Sequence, residues 1–192
     1  MKRKTDVYKL TLLSILSAIV FVLQFFVKIP LGGFTISVSL SVIVLSAVIY
    51  GYTGGAVVGG VSAVAILLNG DAALFYSFNF FLTVLVVLIK GIASGVAAAA
   101  IFKLLKNINK YVGVIASAIV APIVNTGIFF LGSFVFFYDS IKAMAGGTNV
   151  ALFIIVGFIG FNFIVELIAN VVLSPVIYKL IQLVPSAQNR FL

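Results

Sequence analysis

The sequence contains no cysteine, no histidine and no tryptophan, and only four of its 192 residues are acidic. Without cysteine and histidine the chain lacks disulfides, thiolate and imidazole metal ligands, and the usual general base at neutral pH. The motifs HExxH and GxSxG are absent, and the glycine-rich stretch 51–60 is not followed by the Lys-Ser/Thr pair of a nucleotide-binding loop. We therefore expect neither an enzyme nor a resident cofactor or metal.

Charged residues make up only 8% of the chain, whereas hydrophobic residues make up 64%. A soluble domain usually has about 25% charged residues, so this chain has too few polar side chains to cover a surface that faces water. Lipid is the solvent that tolerates such a surface. The net charge of +8 does not indicate nucleic-acid binding, because the basic residues lie at the chain ends and in short loops. The composition predicts an integral protein of the lipid bilayer with no nucleic-acid partner.

Long apolar runs, separated by short polar or glycine-rich segments, predict six membrane helices. Their approximate bounds are residues 10–27, 36–50, 56–68, 78–105, 112–137 and 150–183. The runs are continuously apolar rather than alternating, which favours helices over the strands of a membrane barrel. The basic start and first run resemble a signal peptide, but no clear small-residue cleavage site follows, so we interpret the run as a retained helix. The predicted fold class is all-α: one transmembrane domain, residues 1–192, built as a six-helix bundle.

The distribution of basic residues predicts the orientation of these spans. An even number of spans places both termini on one side of the membrane. If that side is the cytoplasm, nine lysine and arginine residues lie inside, and only Lys28 and Lys142 lie outside. This asymmetry follows the positive-inside rule, so we predict that both the N-terminus and the C-terminus are cytoplasmic.

Small residues recur at helical spacing on several predicted spans. Five glycines lie within residues 51–60, and Gly91, Gly95 and Ala99 form a row four residues apart. In lipid, such residues allow helix backbones to approach each other closely, so the rows predict tight packing between helices. Ser14 and Ala18 form a similar row on the first span, and its partner can be a different protein.

Five strongly polar side chains are predicted at bilayer depth: Lys90, Asn125, Asn162, Glu166 and Asn170. Each costs at least a few kcal/mol to insert. With a helix rise of about 1.5 Å per residue, Lys90, Asn125 and Asn162 fall in one layer near the membrane centre. Asn162, Glu166 and Asn170 are spaced by four residues and form one stripe. Two interpretations stay open: the polar floor of a binding cavity, or a structural Lys90–Glu166 ion pair with asparagines as interhelical hydrogen-bonding groups.

Phenylalanines concentrate in the outer halves of the fourth and fifth predicted spans. Interfacial belts favour tryptophan and tyrosine over phenylalanine. The cluster is therefore either a lipid-facing surface or the wall of an apolar ligand site that opens outward. Phe129 is our candidate for that wall, and Asn79, which lies among these aromatics, is our candidate for a ligand contact near the mouth.

Three segments carry a resemblance to a known family: residues 50–60, 121–127 (APIVNTG) and 162–167 (NFIVEL). Together with the length, the six spans and the short second and third spans, they make the chain similar to the S components of energy-coupling factor (ECF) vitamin transporters. An S component is the membrane subunit that binds the substrate. The resemblance covers almost the whole chain.

This resemblance implies binding of a small water-soluble vitamin at the outer face of a bacterial plasma membrane, beneath a lid formed by residues 28–35. The fourth to sixth spans then supply most contacts. The substrate-binding candidates are Lys90, Asn125, Asn162, Glu166, Asn79 and Phe129. The resemblance further implies that the loaded subunit topples within the membrane and docks on a transmembrane coupling subunit driven by two cytoplasmic ATPases. Ser14 and Ala18 correspond to the family's Ala-x-x-x-Ala docking motif, with serine in place of the first alanine.

The vitamin stays open at this point. Lys90 suits a carboxylate and favours pantothenate, and the alternatives are riboflavin, pyridoxine, a hydroxymethylpyrimidine, folate and cobalamin. The absence of tryptophan argues against thiamine and biotin, whose S components tend to carry signatures with that residue. A self-sufficient secondary transporter, coupled to protons through Glu166, is the competing function. Such transporters usually show inverted repeats, and the sequence shows no convincing repeat.

Overall fold

The computed structural model describes the backbone of residues 2–26, 28–31 and 34–184, and the side chains of residues 7–26, 38–157, 159–160 and 162–184. These residues form a bundle of helices with one small hairpin. The elements are α1 (Lys2–Phe26), β1 (Lys28–Leu31), β2 (Phe34–Ser37), α2 (Ser39–Tyr50), α3 (Tyr52–Leu68), α4 (Ala73–Phe78), α5 (Phe80–Leu105), α6 (Lys110–Phe136), α7 (Tyr138–Ala145), α8 (Val150–Ile154), a π-helical segment (Ile155–Ile159) and α9 (Gly160–Leu183).

Four of these helices are long and apolar enough to cross a membrane: Val7–Phe26 of α1, α5, α6 and Asn162–Leu183 of α9. Between 17% and 39% of each apolar stretch is buried within the protein, so most of each stretch faces outward, as lipid contact requires. The segment formed by α7 and α8, bent by 86°, is a fifth candidate. At 12 and 17 residues, α2 and α3 are apolar but shorter than the roughly 20 residues of an ordinary span.

Helix α2 lies at the centre of the bundle. It contacts α1, α3, α5, α6 and α9, and eleven of its twelve residues are buried. A helix enclosed on all sides needs no polar face, which explains why its sequence contains only apolar residues, small serines and one tyrosine. Gly51, with a φ of 69°, reverses the chain directly into α3, and this tight turn keeps α2 and α3 packed together.

The predicted packing of small residues is confirmed between α3 and α5. Gly55 faces Gly95 and Gly59 faces Gly91, and in both pairs the nearest atoms to an added Cβ belong to the opposite backbone. A Cβ on Gly91 would lie 2.5 Å from the carbonyl oxygen of Gly59, which is shorter than any ordinary contact. These glycines therefore allow the two helices to touch backbone to backbone.

The predicted all-α architecture is correct for the membrane helices, but the connection between α1 and α2 is not a simple loop. β1 and β2 form an antiparallel hairpin in which Lys28 pairs with Ser37 and Leu31 with Phe34. This hairpin comprises most of the predicted lid, residues 28–35, of which residues 32 and 33 lie outside the described part of the chain. It also takes the first residues of the predicted span 36–50, so α2 begins at Ser39. Pro30 lacks an N–H, and a two-stranded hairpin tolerates it because each strand has a free edge.

Two predicted spans are interrupted. The predicted span 78–105 begins at Phe80, because Asn79 adopts an extended conformation (φ −163°, ψ 114°) and separates α4 from α5. The predicted span 150–183 contains the π-helical segment between α8 and α9. A π-helical turn displaces the residues after it around the helix axis, and such turns are frequent at functional sites.

The hairpin, the α3–α4 turn (residues 69–72) and α7 lie at one end of the bundle, called here the hairpin end. The α2–α3 turn and the α5–α6 turn lie at the opposite end. There, the ammonium group of Lys9 lies 5.9 Å from the ring centroid of Tyr50. Likewise, that of Lys103 lies 5.6 Å from the ring centroid of Tyr52.

Candidate functional site

A cavity of about 530 Å³ lies among the helices, and its lining includes residues of α1, α2, α3, α5, α6, α9 and the α3–α4 turn. Small-molecule sites usually have volumes of about 300–1,000 Å³, so the cavity fits a compact ligand. Five of the six predicted substrate-binding residues line it: Lys90, Asn125, Phe129, Asn162 and Glu166. The structure thus brings together residues from three helices that are up to 76 positions apart in the sequence.

Aromatic rings form the apolar wall of this cavity near the hairpin end. Phe75 is buried, and its ring centroid lies 5.1 Å from that of Phe129 and 5.5 Å from that of Phe137. All three rings line the cavity. Phe80 and Phe81 instead point outward, with Phe81 82% exposed. The phenylalanine cluster therefore serves both purposes considered above, one part as a cavity wall and the other as an outward surface.

Lys90 lies between this aromatic wall and the acidic groups of the cavity. Its ammonium group lies 5.1 Å from the ring centroid of Phe129, which is a cation–π distance. Glu166 and Asp71 are the acidic residues of the same cavity lining. Opposite charges around one cavity reduce the cost of keeping each of them away from water.

Several polar groups of the lining have no bonding partner among the described residues. The Oδ1 atom of Asn162 is buried and finds no hydrogen-bond donor there. Asn125 and Thr126 on α6 also line the cavity, and no side-chain hydrogen bond of either residue is found within the described part of the chain. A buried acceptor without a partner costs roughly 1–3 kcal/mol. A ligand that donates a hydrogen bond to Asn162 would recover this cost.

Other polar groups of the lining are already bonded within the protein. The side chain of Gln24 donates to Asp71 (3.0 Å) and accepts from Ser39 (3.0 Å). The hydroxyl of Thr83 donates to the backbone carbonyls of Phe75 (2.8 Å) and Asn79 (2.7 Å). These groups shape the cavity and connect α4 to α5. The lining therefore contains a bonded framework and, on α6 and α9, polar groups without a hydrogen-bond partner among the described residues.

Asn170, the third member of the predicted polar stripe, has a structural role. It is fully buried, its Oδ1 accepts from the hydroxyl of Ser41 (2.9 Å), and its Nδ2 donates to the carbonyl of Glu166 (2.8 Å). The bond to Ser41 joins α9 to the central helix α2, and the bond to Glu166 lies within α9. The members of the stripe therefore differ: Asn162 and Glu166 line the cavity, whereas Asn170 bonds α9 to α2.

The structure does not place Asn79 in the cavity. Its side chain is exposed, and its Oδ1 accepts a hydrogen bond from the backbone N–H of Leu82 at 3.0 Å. This is the N-cap of α5, where asparagine is among the preferred residues. Its position among aromatic residues reflects the break between α4 and α5.

Two cavity residues were missed by the sequence reasoning. Gln24 is a strongly polar side chain within the first apolar run, so the rule that selected Lys90 and Asn125 would also have selected it. Asp71 follows Asn69-Gly70 in a turn. Polar residues are ordinary in turns, so its sequence position gave no signal that its carboxylate lines a cavity.

Ser14 and Ala18 lie on the exposed face of α1. The hydroxyl of Ser14 donates to the carbonyl of Leu10 at 2.9 Å, so it is satisfied within its own helix. The exposed Ile15, Ile19 and Val22 surround this pair. Small residues among larger apolar ones form a shallow surface on which another helix can pack.

The family model described as "ECF transporter, substrate-specific component" matches residues 8–178, which is most of the chain and includes every candidate residue discussed above. No curated protein and no solved structure gives a significant match. Together with the apolar helices, the match identifies a multi-pass membrane protein that binds a substrate and works with an ECF module. The chain belongs to the substrate-specific components of ECF transporters.

Proposed function

We propose that this protein captures one small water-soluble vitamin and binds it in the cavity at the hairpin end. The observation that carries the proposal is the convergence of polar groups from three helices on one cavity. Lys90 comes from α5, Asn125 and Thr126 come from α6, and Asn162 comes from α9. Polar groups in the middle of a lipid-embedded bundle cost free energy of insertion. Binding of a polar ligand explains why the protein keeps them there.

The proposed topology is one transmembrane domain of six spans, in which α2 and α3 are short spans. Both termini lie in the cytoplasm of a bacterial cell, so the hairpin end faces outward. The support comes from the lysines, because Lys9, Lys103 and Lys106 lie at the end opposite the hairpin. In this orientation the cavity is accessible to a solute from outside, and Asp71, which is exposed, lies on that side.

Pantothenate is the vitamin that we favour. Its carboxylate suits the ammonium of Lys90, and such charge-assisted contacts are among the stronger hydrogen bonds. Its hydroxyl and amide groups suit Asn125, Thr126 and the Oδ1 of Asn162. Riboflavin, pyridoxine, a hydroxymethylpyrimidine and folate are alternatives of compatible size. Cobalamin is much larger than these molecules, and a volume of about 530 Å³ argues against it.

The proposed transport step follows the family pattern. The loaded protein topples within the membrane and docks on the transmembrane coupling subunit, which two cytoplasmic ATPases drive. The exposed pair Ser14 and Ala18 on α1 supports this contact, because it is a surface of small side chains with satisfied hydrogen bonds. The protein is then a binding subunit without catalytic activity of its own.

Reconstituted vesicles distinguish this function from that of a self-sufficient secondary transporter. We expect vesicles that contain the chain alone to bind a labelled vitamin from the candidate set without accumulating it. Addition of the coupling subunit, both ATPases and ATP should start uptake. Ala18→Leu should reduce uptake and leave binding unchanged, because a bulky side chain blocks helix docking far from the cavity.

Uptake by the chain alone, abolished by a protonophore or by Glu166→Gln, would instead establish proton-coupled secondary transport. If the complete complex takes up the vitamin at the same rate with and without Ala18→Leu, α1 is not part of the docking surface.

A further inference from the structure

Four residues at the hairpin end form a hydrogen-bonded cluster that ties three parts of the bundle together. We call it the latch: Gln24 near the end of α1, Ser39 at the start of α2, and Asn69 and Asp71 in the α3–α4 turn. Gln24 and Ser39 are each only 4% exposed. Gln24, Ser39 and Asp71 all line the cavity, so the latch is part of the cavity wall.

The bonds within the latch converge on one carboxylate oxygen. The Oδ2 atom of Asp71 accepts from the Nε2 of Gln24 (3.0 Å) and from the Nδ2 of Asn69 (2.9 Å). The hydroxyl of Ser39 donates to the Oε1 of Gln24 (3.0 Å). Hydrogen bonds to an ionised carboxylate are about twice as strong as those between neutral groups. Both polar atoms of the Gln24 side-chain amide, Nε2 and Oε1, are therefore hydrogen-bonded.

The latch also provides a hydrogen-bond donor for a backbone carbonyl in the last turn of α1. The backbone carbonyl of Gln24 accepts from the Nδ2 of Asn69 at 2.9 Å. Because α1 ends at Phe26, this carbonyl is among the last four of the helix, which have no partner within it. The side chain and the backbone of Gln24 are therefore both bound to the α3–α4 turn, which fixes the end of α1 against it.

We propose that the latch closes the side of the cavity between α1 and the α3–α4 turn and controls how readily solutes enter. Gln24 is then a positioning residue, which acts through Asp71 and the end of α1. Without its side-chain amide, the bond to Asp71 is lost while the bond from Asn69 to the backbone carbonyl remains, so α1 is held less firmly against the α3–α4 turn and local opening becomes easier. The consequence for vitamin exchange rests on the proposed function, whereas the closure itself is a property of the empty protein.

The experiment uses a single introduced thiol, because the natural chain has no cysteine. Thr126→Cys places the thiol in the cavity, and Ala143→Cys places it on the exposed surface of α7. The full chain, in lipid nanodiscs and freed of bound small molecules, is treated with a charged methanethiosulfonate reagent. We expect Gln24→Leu to accelerate labelling at position 126 by about tenfold or more, and to leave labelling at position 143 unchanged.

A charge exchange separates the latch from a general loss of stability. Gln24→Glu alone places two carboxylates together and should accelerate labelling at position 126 as strongly as Gln24→Leu. In the double variant Gln24→Glu with Asp71→Asn, the new glutamate accepts from Ser39 and from the new asparagine. Labelling should then return close to the original rate.

Equal labelling rates at position 126 in the parent and in Gln24→Leu would overturn the proposal, as would a charge exchange that restores nothing. Absence of labelling in every background would overturn it too, because the cavity would then be closed to the outside by other means. None of these outcomes depends on whether a vitamin is the ligand, so a failure of the latch is distinguishable from a failure of the proposed function.

Discussion

Replacement of Gly95 by alanine is expected to destabilise the bundle by about 3 kcal/mol, whereas the same replacement at Gly60 should be neutral or stabilising. A Cβ on Gly95 would lie 2.8 Å from the Cα of Gly55, and still closer to other atoms of that residue's backbone. The backbone cannot move aside without separating α3 from α5. At Gly60, the nearest atom to an added Cβ is the Cγ1 of Ile92 at 3.7 Å, an ordinary contact.

The two variants form a matched pair because both replace a glycine within a helix. Alanine has the higher helix propensity by about 1 kcal/mol, so propensity alone predicts stabilisation at both positions. Thermal unfolding in one detergent, followed by loss of the monodisperse peak on size exclusion, compares them directly. If Gly95→Ala is as stable as Gly60→Ala, the helices do not touch at this glycine pair, and the packing described for α3 and α5 is incorrect.

Lys90→Met is expected to weaken pantothenate binding by about 30-fold or more, because it removes the charged partner of a buried carboxylate. Methionine keeps the length and the apolar stem of the side chain, so the shape of the cavity changes little. Lys142→Met is the control, since Lys142 is exposed on α7 and should leave the affinity unchanged. Isothermal titration with the purified protein measures both variants.

The alcohol analogue pantothenol, which lacks the carboxylate, makes this prediction specific. The natural protein should prefer pantothenate, and Lys90→Met should lose most of that preference. An equal loss of affinity for both molecules would mean that Lys90 supports the cavity without contacting the carboxylate. Unchanged binding of both would remove Lys90 from the site.

Polar residues within apolar runs were the most informative feature of the sequence, because burial of an amide or a charge in lipid needs a reason. This rule selected Lys90, Asn125, Asn162 and Glu166, and the structure places all four in one cavity lining. It could not separate Asn162 from Asn170, which belong to the same stripe. Only the structure shows that Asn170 is bonded to Ser41, 129 positions away, whereas the Oδ1 of Asn162 has no hydrogen-bond partner among the described residues.

The remaining differences between the predicted and the observed structure arise at residues whose local sequence is compatible with two roles. Asn79 precedes a helix, a position at which asparagine commonly caps, yet it also lies among aromatics that partly line a cavity. The hairpin depends on pairing between Lys28–Leu31 and Phe34–Ser37, and short strands of this kind leave only a weak pattern. Asp71 shows the same limit, since only its contact with the distant Gln24 reveals its part in the cavity wall.

The most direct test of the account is the identification and stoichiometry of the small molecule that purifies with the protein, measured by native and denaturing mass spectrometry. We predict about one vitamin molecule per chain. We also predict its loss from Thr126→Trp, which fills the cavity, and its retention in Ala143→Trp on the exposed face of α7. A protein that carries and binds none of the candidate vitamins, or a Thr126→Trp variant that retains its ligand, would contradict the account.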